Sequence, residues 1–283
     1  MTGGFNNILI IGVGLIGGSF AGALKKLDPE LRVYGAGSSA ETLRLAREKG
    51  LIEQDDPPEY KVIDLVVLAS PIETFEEWFR ILTDNDYDGI VTDMASVKLP
   101  VVCAAAKLLK QPANFIPGHP MAGSEKSGVL AARDDLFEGA AWIITRDDET
   151  DMLAFLKIHA LLTAIGARVV SVEAEEHDRI VAMISHVPHV AASSLVLLAD
   201  AHADAGGDIF QFAGGGFRDT TRIAAGDPAL WAEILCSNAD RVSEGLEEYA
   251  AIIGNFAEAV KTRDSVTLEQ MLTKPAITRR AKK

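Results

Sequence analysis

A glycine-rich turn close to the start of the chain constrains the fold more than any other feature. The apolar run ILII at residues 8–11 is followed directly by GVGLIG at residues 12–17, and a helical pattern opens at Leu15. A buried strand, a tight glycine turn and a helix N-terminus give a pyrophosphate bare backbone to approach and N–H groups to bind. Glycine-rich turns also occur without nucleotides, so the flanking strand and helix carry the prediction. We expect a dinucleotide cofactor to contact Gly12, Gly14, Leu15, Ile16 and Gly17.

The chain alternates short apolar runs with amphipathic segments up to about residue 172, a rhythm typical of a parallel sheet with crossover helices. Strands are predicted at residues 8–11, 32–34, 65–68, 89–92, 114–116, 141–145 and 168–172. Helices between them are predicted at residues 40–49, 72–82, 100–109 and 150–165. Gly50 is placed to end the first of these four helices. The pattern predicts an α/β Rossmann-like dinucleotide-binding domain over residues 1–172.

The strand rhythm stops after residue 172, and the remaining residues, 173–283, are predicted to form an all-α domain. Residues 173–205 read as one long, alanine-rich helix that Pro188 should kink. Further helices are predicted at 228–253 and 266–272, with a frayed tail over the last five residues. Because these helices carry alanine and leucine around much of their surface, we expect them to bury a face against a second subunit in a homodimer.

The composition narrows the classes of partner. A net charge of −14 disfavours binding to nucleic acid or to an anionic membrane. An anionic substrate would therefore need a local cluster of Arg and His in its pocket. The two cysteines, Cys103 and Cys236, lie outside any metal or disulfide spacing, which indicates a reducing compartment. No leader segment and no apolar run long enough to cross a bilayer is recognised, so we expect a cytoplasmic protein.

The segment YGAGSS at residues 34–39 bears on the choice of cofactor. Domains that use NAD usually place an acid here to bind the ribose 2′-hydroxyl, and this segment has none. Ser38 and Ser39 could donate to a 2′-phosphate, with Arg44 close enough to help; alternatively, one of the serines caps the next helix. The pattern favours NADP over NAD. We also expect Ser70, just after the strand at 65–68, to contact the cofactor.

Four further motifs follow the glycine turn: DMASVK at 93–98, GHPMAGSE at 118–125, SHVPH at 185–189 and GGGFRDTTR at 214–222. In this order, from about residue 8 to residue 272, they resemble the prephenate dehydrogenase family, which includes the arogenate and cyclohexadienyl dehydrogenases. The resemblance implies NAD(P)-dependent oxidative decarboxylation of prephenate to 4-hydroxyphenylpyruvate, or of arogenate to tyrosine. The sequence does not decide between the two substrates; we favour prephenate, with use of both open. The resemblance also implies a stand-alone dehydrogenase.

The resemblance assigns two catalytic residues. His119 accepts the proton of the ring hydroxyl, a task that suits a neutral imidazole. The alternative is a histidine that only satisfies a buried turn. Ser96 hydrogen-bonds the same hydroxyl; alternatively, it caps the helix that Pro100 begins.

The substrate has two carboxylates, so positive charge is needed at both ends of its pocket. Arg222 suits the ring carboxylate, since a guanidinium binds carboxylate bidentately. The resemblance puts His189 at the side-chain carboxylate and His186 nearby, on one helical face. These two histidines could instead be ordinary polar residues of a kinked helix, and we expect no metal, because no companion ligand has metal-site spacing.

Three more side chains are assigned to the surroundings of the site. Glu125 is placed at the mouth of the site or in solvent, and Asp219 is expected to orient Arg222 or a histidine, or to form a salt bridge elsewhere. By the resemblance Trp231 matches an aromatic residue near the pocket, but a core tryptophan is the favoured interpretation. No chemistry is assigned to the remaining histidines: His159, His177 and His202.

Two rival functions remain open. A β-hydroxyacid-type dehydrogenase would be expected to carry a catalytic lysine on the first long helix of the second domain, and residues 180–194 contain none. A non-catalytic protein that senses NAD(P) would have no need of a base such as His119.

Overall fold

The strand and turn that open the chain form part of a five-stranded sheet. In the computed structural model, which describes residues 3–53, 59–124, 126–203 and 209–281, all five strands run parallel in the order β2-β1-β3-β4-β5. Their bounds are β1 Asn7–Ile11, β2 Arg32–Ala36, β3 Leu65–Leu68, β4 Ile90–Asp93 and β5 Phe115–Ile116. The glycine turn follows β1, at the carboxyl edge where open parallel sheets bind ligands.

Helices cover both faces of this sheet, which explains why its central strands are continuous apolar runs. They are α1 Leu15–Leu27, α2 Ala40–Glu48, α3 Phe75–Asp84, α4 Leu99–Leu108 and α5 Met152–Ala164. Phe20 of α1 and Ile158 of α5 belong to the core on one face. Phe75 and Phe79 of α3 belong to the core on the other. Gly50 ends α2 with a positive φ of 69°, as predicted.

A second, three-stranded sheet departs from the predicted single parallel sheet. It consists of β6 Gly118–Pro120, β7 Ala141–Thr145 and β8 Arg168–Val172, with β6 antiparallel to β7 and β7 parallel to β8. His119, which lies outside every strand predicted from the sequence, is part of β6 and pairs with Ile143 across the sheet. Glycine and proline at both ends of β6 are turn signals, and pairing with a strand more than 20 residues away overrides them.

The second part of the chain is helical. Its elements are α6 Ala174–Val181, α7 Val187–Ala203, α8 Gly215–Thr221, α9 Pro228–Ser237, α10 Ala239–Lys261 and α11 Ser265–Ala281. A single π turn, Ala182–His186, joins α6 to α7 directly before Pro188. The helix predicted at 228–253 is broken at Asn238, and the tail predicted to fray is helical to Ala281, with basic residues in the last turn of α11, where the helix dipole favours them.

The continuous helix from Ala174 to His202 is long and apolar enough to meet the length and composition criteria for a membrane span, with a mean hydropathy of 1.7. This corrects the expectation that no apolar run in the chain could do so. Only a third of the apolar 18-residue stretch of this helix is buried, and Ile184, Leu197 and Leu198 are each at least 60% exposed. One such helix is weak evidence of a membrane protein, because helices that pack inside proteins pass the same test.

Candidate active site

The glycine turn has the backbone geometry that a bound dinucleotide requires. Gly12 has a φ of 93°, and a Cβ at this position would lie 2.5 Å from the amide nitrogen of Ser70. A Cβ on Gly17 would lie 2.1 Å from the carbonyl oxygen of Gly12. No atom lies within 4 Å of the position a Cβ on Gly14 would take. The first and last glycines therefore close the turn, and the middle one leaves room for a ligand to approach the backbone.

The start of α1 offers free hydrogen-bond donors at this turn. Gly14 is the N-cap and supplies no side-chain acceptor, and no acidic residue occupies the first helical turn. The N–H groups of Leu15 and Ile16 are thus available, and the helix dipole makes this end partly positive. Ser70 borders the turn through its backbone, while its hydroxyl hydrogen-bonds that of Thr74 at 2.8 Å. These residues fit a pyrophosphate.

The residues predicted at the cofactor's ribose are partly committed elsewhere. The Ser39 hydroxyl caps α2 by accepting a hydrogen bond from the amide of Thr42 at 3.2 Å, as the structural alternative expected. Arg44 is paired with Glu41 and Glu48 of its own helix. It would have to give up these pairs to neutralise a 2′-phosphate, so the help expected from Arg44 is not present in this structure. Ser38 is exposed beside the end of β2.

The predicted base, His119, lies in β6 with its side chain almost fully buried. Its Nδ1 is 2.8 Å from Nε2 of His177, and Nδ1 of His177 is 2.7 Å from the carboxylate of Asp178. Burial lowers the pKa of His119 well below its ordinary value, and the neighbouring groups His177, Lys98 and His186 act in the same direction. His119 is therefore neutral near pH 7 and able to accept a proton.

Gly118 is held from both sides by a buried ion pair, which fixes the start of β6. Asp93 accepts a hydrogen bond from the Gly118 amide at 3.0 Å and also forms an ion pair with Lys98. The ammonium group of Lys98 donates in turn to the Gly118 carbonyl at 2.7 Å. Burial lowers the pKa of Lys98, and the carboxylate of Asp93 opposes that effect. The DMASVK motif thus positions the residue directly before His119.

Ser96 does not cap a helix, so the alternative considered for it is wrong. The N-cap of α4 is Lys98, and its first free N–H groups are bound by Asp178, whose carboxylate accepts from the amides of Lys98 and Leu99 at 2.7 and 2.8 Å. Ser96 is half-buried, and its hydroxyl makes no hydrogen bond within the described residues. It remains available to a ligand.

The π turn carries His186 into the interior. Nδ1 of His186 lies 3.3 Å from the side-chain nitrogen Nδ2 of Asn238. The same nitrogen donates to the backbone carbonyl of Asp178 at 2.9 Å. Burial lowers the pKa of His186 to about 4, so this side chain is neutral near pH 7. Single π turns inside helices frequently occur at functional sites.

His189 stacks on Trp231, with ring centroids 3.5 Å apart and planes inclined by 13°. Nδ1 of His189 is buried and has no hydrogen-bond partner in the described part of the chain. Burial lowers the pKa of His189. Trp231 is only half-buried and forms a wall beside this histidine, so its interpretation as a core tryptophan is wrong.

Arg222 and Asp219 lie at the end of α8, and both are exposed. Neither forms an ion pair or a side-chain hydrogen bond with any described residue, so the expectation that Asp219 orients Arg222 or a histidine is wrong for this structure. Arg222 begins a short helical turn that packs against α7, the helix of His189. Glu125 lies outside the described residues.

Several residues of the site were not predicted from the sequence. Among the histidines given no role, His177 is wholly buried and contacts His119. Asp178, Lys98 and Asn238 complete the polar network around it. Glu233 of α9 accepts a hydrogen bond from the amide of Ile72, which links the helical domain to the segment after Ser70. The adjacent His and Asp at 177–178 were the available signal, but their partners are remote in sequence.

Comparison with known families bears on what this site belongs to. A sequence model described as the nucleotide-binding domain of prephenate dehydrogenase matches residues 20–171, and one described as its dimerization domain matches residues 173–274. The chain belongs to the prephenate dehydrogenase family. The match begins after the glycine turn, so the turn is an additional observation that agrees with it.

Related proteins extend this result. The chain is 37% identical over 270 residues to a prephenate dehydrogenase of Bacillus subtilis, covering 93% of this chain and 72% of the relative. It is 31% identical over 265 residues to a cyclohexadienyl dehydrogenase of Zymomonas mobilis, covering 92% and 90%. A crystal structure of prephenate dehydrogenase from Aquifex aeolicus in complex with hydroxyphenyl propionate and NAD⁺ superposes with a TM-score of 0.91 at 32% identity, covering 98% of each chain. The predicted fold class and family are confirmed, and the chain is an oxidoreductase of this family.

Proposed function

We propose that the protein catalyses the NAD(P)-dependent oxidative decarboxylation of prephenate to 4-hydroxyphenylpyruvate, a step of tyrosine biosynthesis. The observation that carries the proposal is the position of His119, which is buried and in contact with His177. His119 is held through Gly118 at the carboxyl end of β4 and is linked through His177 to the helical domain. A base at this junction can face both a cofactor on the sheet edge and a substrate on the helices.

The chemistry that the residues support begins at the ring hydroxyl. His119 accepts the hydroxyl proton while the ring carbon that bears the hydroxyl group is oxidised, and Ser96 holds the hydroxyl oxygen. When bound, the oxidised nicotinamide supplies the acceptor for the hydrogen and electron pair that leave this carbon. Carbon dioxide then departs from the opposite ring carbon, and the electrons of the broken bond complete the aromatic ring. The proton returns from His119 to the phenol oxygen, so no net proton is released.

Recognition of the substrate is assigned to the helical domain. Nδ1 of His189, which has no hydrogen-bond partner among the residues that the structure describes, supports a contact to the side-chain end of the substrate. Arg222, which is unpaired within the described residues, is proposed to bind the ring carboxylate. His186 is proposed to lie beside them, with Asp219 and Glu125 at the periphery. Arogenate differs in an amino group at the side chain, and its use as a second substrate is part of the proposal.

The cofactor and the assembly are also proposed. The turn and the start of α1 suit either nicotinamide dinucleotide, and a relative has been solved with NAD⁺. The absence of an acid at residues 37–39 favours acceptance of NADP. A homodimer is proposed because exposed apolar residues line the long helices and because the matched C-terminal model is described as a dimerization domain. A cytoplasmic location is part of the proposal.

The test is a kinetic comparison of prephenate and arogenate, each with NAD and with NADP, followed by the absorbance of the reduced cofactor. His119→Asn should lower kcat by about 10²-fold or more while KM changes little, because a general base is lost. His159→Asn, which alters an exposed histidine on α5, is the matched control and should leave kcat unchanged. Absence of turnover with all four combinations, or an unchanged kcat in His119→Asn, would refute the proposal.

A further inference from the structure

We propose that Asp178 and His177 act as positioning residues that set the tautomer of His119, so that its Nε2 is the proton-accepting atom. This inference rests on the proposed function for the identity of the reaction. The hydrogen-bond chain from Asp178 to His177 to His119 carries the inference, and it joins the first helix of the helical domain to a strand of the nucleotide-binding domain.

The direction of donation along this hydrogen-bond chain is fixed at Asp178. One carboxylate oxygen accepts from the amide of Lys98 and the other from the amide of Leu99, at 2.7 and 2.8 Å. Both oxygens of this carboxylate therefore act as hydrogen-bond acceptors. The contact of 2.7 Å to Nδ1 of His177 must then be a hydrogen bond that His177 donates.

The direction is passed on through His177. Burial lowers the pKa of this imidazole even though Asp178 opposes the effect, so the ring is neutral and carries one proton. With that proton on Nδ1, its Nε2 is a bare acceptor. The described atom that reaches it is Nδ1 of His119, at 2.8 Å, which must be the donor. A neutral His119 with its proton on Nδ1 leaves Nε2 unprotonated.

The other charged and titratable groups packed around the two histidines do not reverse this order. Lys98 is committed to Asp93 and to the Gly118 carbonyl. Nδ1 of His186 accepts from Asn238, whose amide nitrogen is oriented by the backbone carbonyl of Asp178. Both neighbours therefore have their own partners.

The hydrogen-bond chain also gives the proton taken from the substrate a place to move to. When Nε2 of His119 accepts that proton, the proton on Nδ1 can move to Nε2 of His177. Lys98 opposes a positive charge on either ring, but on His177 the carboxylates of Asp178 and Asp93 favour that charge, and neither of them does so on His119. The reverse movement returns the proton to the phenol oxygen. Asp178 at the same time binds the amides of Lys98 and Leu99 at the start of α4, two and three residues after Ser96.

The direct test reads the tautomers of the wild-type protein by NMR after ¹⁵N labelling of its six histidines, with His→Gln variants used to assign the signals. We expect the proton on Nδ1 in both His119 and His177, without any substrate present. A proton on Nε2 of His119 would overturn the inference. Because the reading needs no turnover, an inactive protein with the expected tautomers would refute the proposed function and leave the inference standing.

A variant tests the consequence for the reaction. His177→Phe removes the acceptor at similar volume, and we expect kcat to fall by about 10²–10⁴-fold with little change in KM, as when the orienting partner of a catalytic histidine is lost. The NMR spectrum of this variant should show His119 with its proton on Nε2. His159→Phe makes the same substitution at an exposed histidine; it is the matched control and should retain wild-type kcat. A kcat within threefold of wild type in His177→Phe would overturn the inference, and if this variant does not fold, the wild-type tautomers still decide.

Discussion

The buried ion pair of Lys98 and Asp93 gives the sharpest prediction for stability. Both side chains are fully buried, and the ammonium group also donates to the Gly118 carbonyl. Lys98→Met keeps the length of the side chain and removes its charge and its donors. Among the described residues, the Asp93 carboxylate would then remain buried with only the amides of Ala95 and Gly118 as hydrogen-bond partners.

The expected cost follows from these contacts. Removing one member of a buried ion pair costs about 3–5 kcal/mol, because the other charge is left uncompensated. That is a large part of the 5–15 kcal/mol by which proteins of this kind are typically stable. Since the start of β6 loses one of its two anchors, we also expect kcat to fall. Adding Asp93→Asn to Lys98→Met should recover part of the lost stability, because it removes the uncompensated charge.

Urea unfolding at one fixed protein concentration measures this effect, since a subunit interface would make stability depend on concentration. The midpoint should fall with the slope m unchanged. Lys110→Met is the control, because Lys110 forms an exposed pair with Asp86 at 2.7 Å, and exposed pairs contribute little to stability. If Lys98→Met is no more destabilising than Lys110→Met, the argument from the buried pair is refuted.

Two further predictions concern substrate binding and acid stability. Arg222→Ala should raise KM for prephenate by roughly 10- to 100-fold at nearly constant kcat, the loss of one charge-assisted contact; an unchanged KM in steady-state kinetics would exclude Arg222 from carboxylate binding. The pKa of His186 is about 4 in the folded protein and about 6.5 when unfolded, so the unfolded chain binds more protons between these values and stability must fall as the pH drops from 7 to 4. The His186 shift corresponds to a loss of about 3 kcal/mol in the free energy of unfolding. Urea unfolding at several pH values should detect this loss in the wild type, and it should be missing in His186→Gln. Equal pH dependence in both proteins would contradict the lowered pKa of His186.

Local patterns predicted a large part of the fold. The strand of residues 8–11, the glycine turn and the start of α1 at Leu15 are all observed, because each depends on neighbours within a few residues. The long helix from Ala174 and the cap of α2 at Ser39 follow from the same local chemistry.

Patterns failed where distant segments decide the structure. The strand β6 has the composition of a turn and becomes a strand only by pairing with β7. His177 has the sequence context of an ordinary amphipathic helix, and its role depends on a side chain 58 residues away. Lys98 was recognised as part of a motif, but no pattern shows that a lysine will be fully buried.

The sequence by itself determined that a dinucleotide turn opens the chain, that a helical domain follows the α/β domain, and that one histidine lies in a family motif. The tertiary structure alone decided which atom of that histidine can accept a proton, because the tautomer depends on a chain of hydrogen bonds between the two domains. The turn and the order of the domains follow from short-range backbone preferences, which depend on neighbours along the chain. The proton-accepting atom depends on side chains that meet only after the helical domain has packed against the sheets.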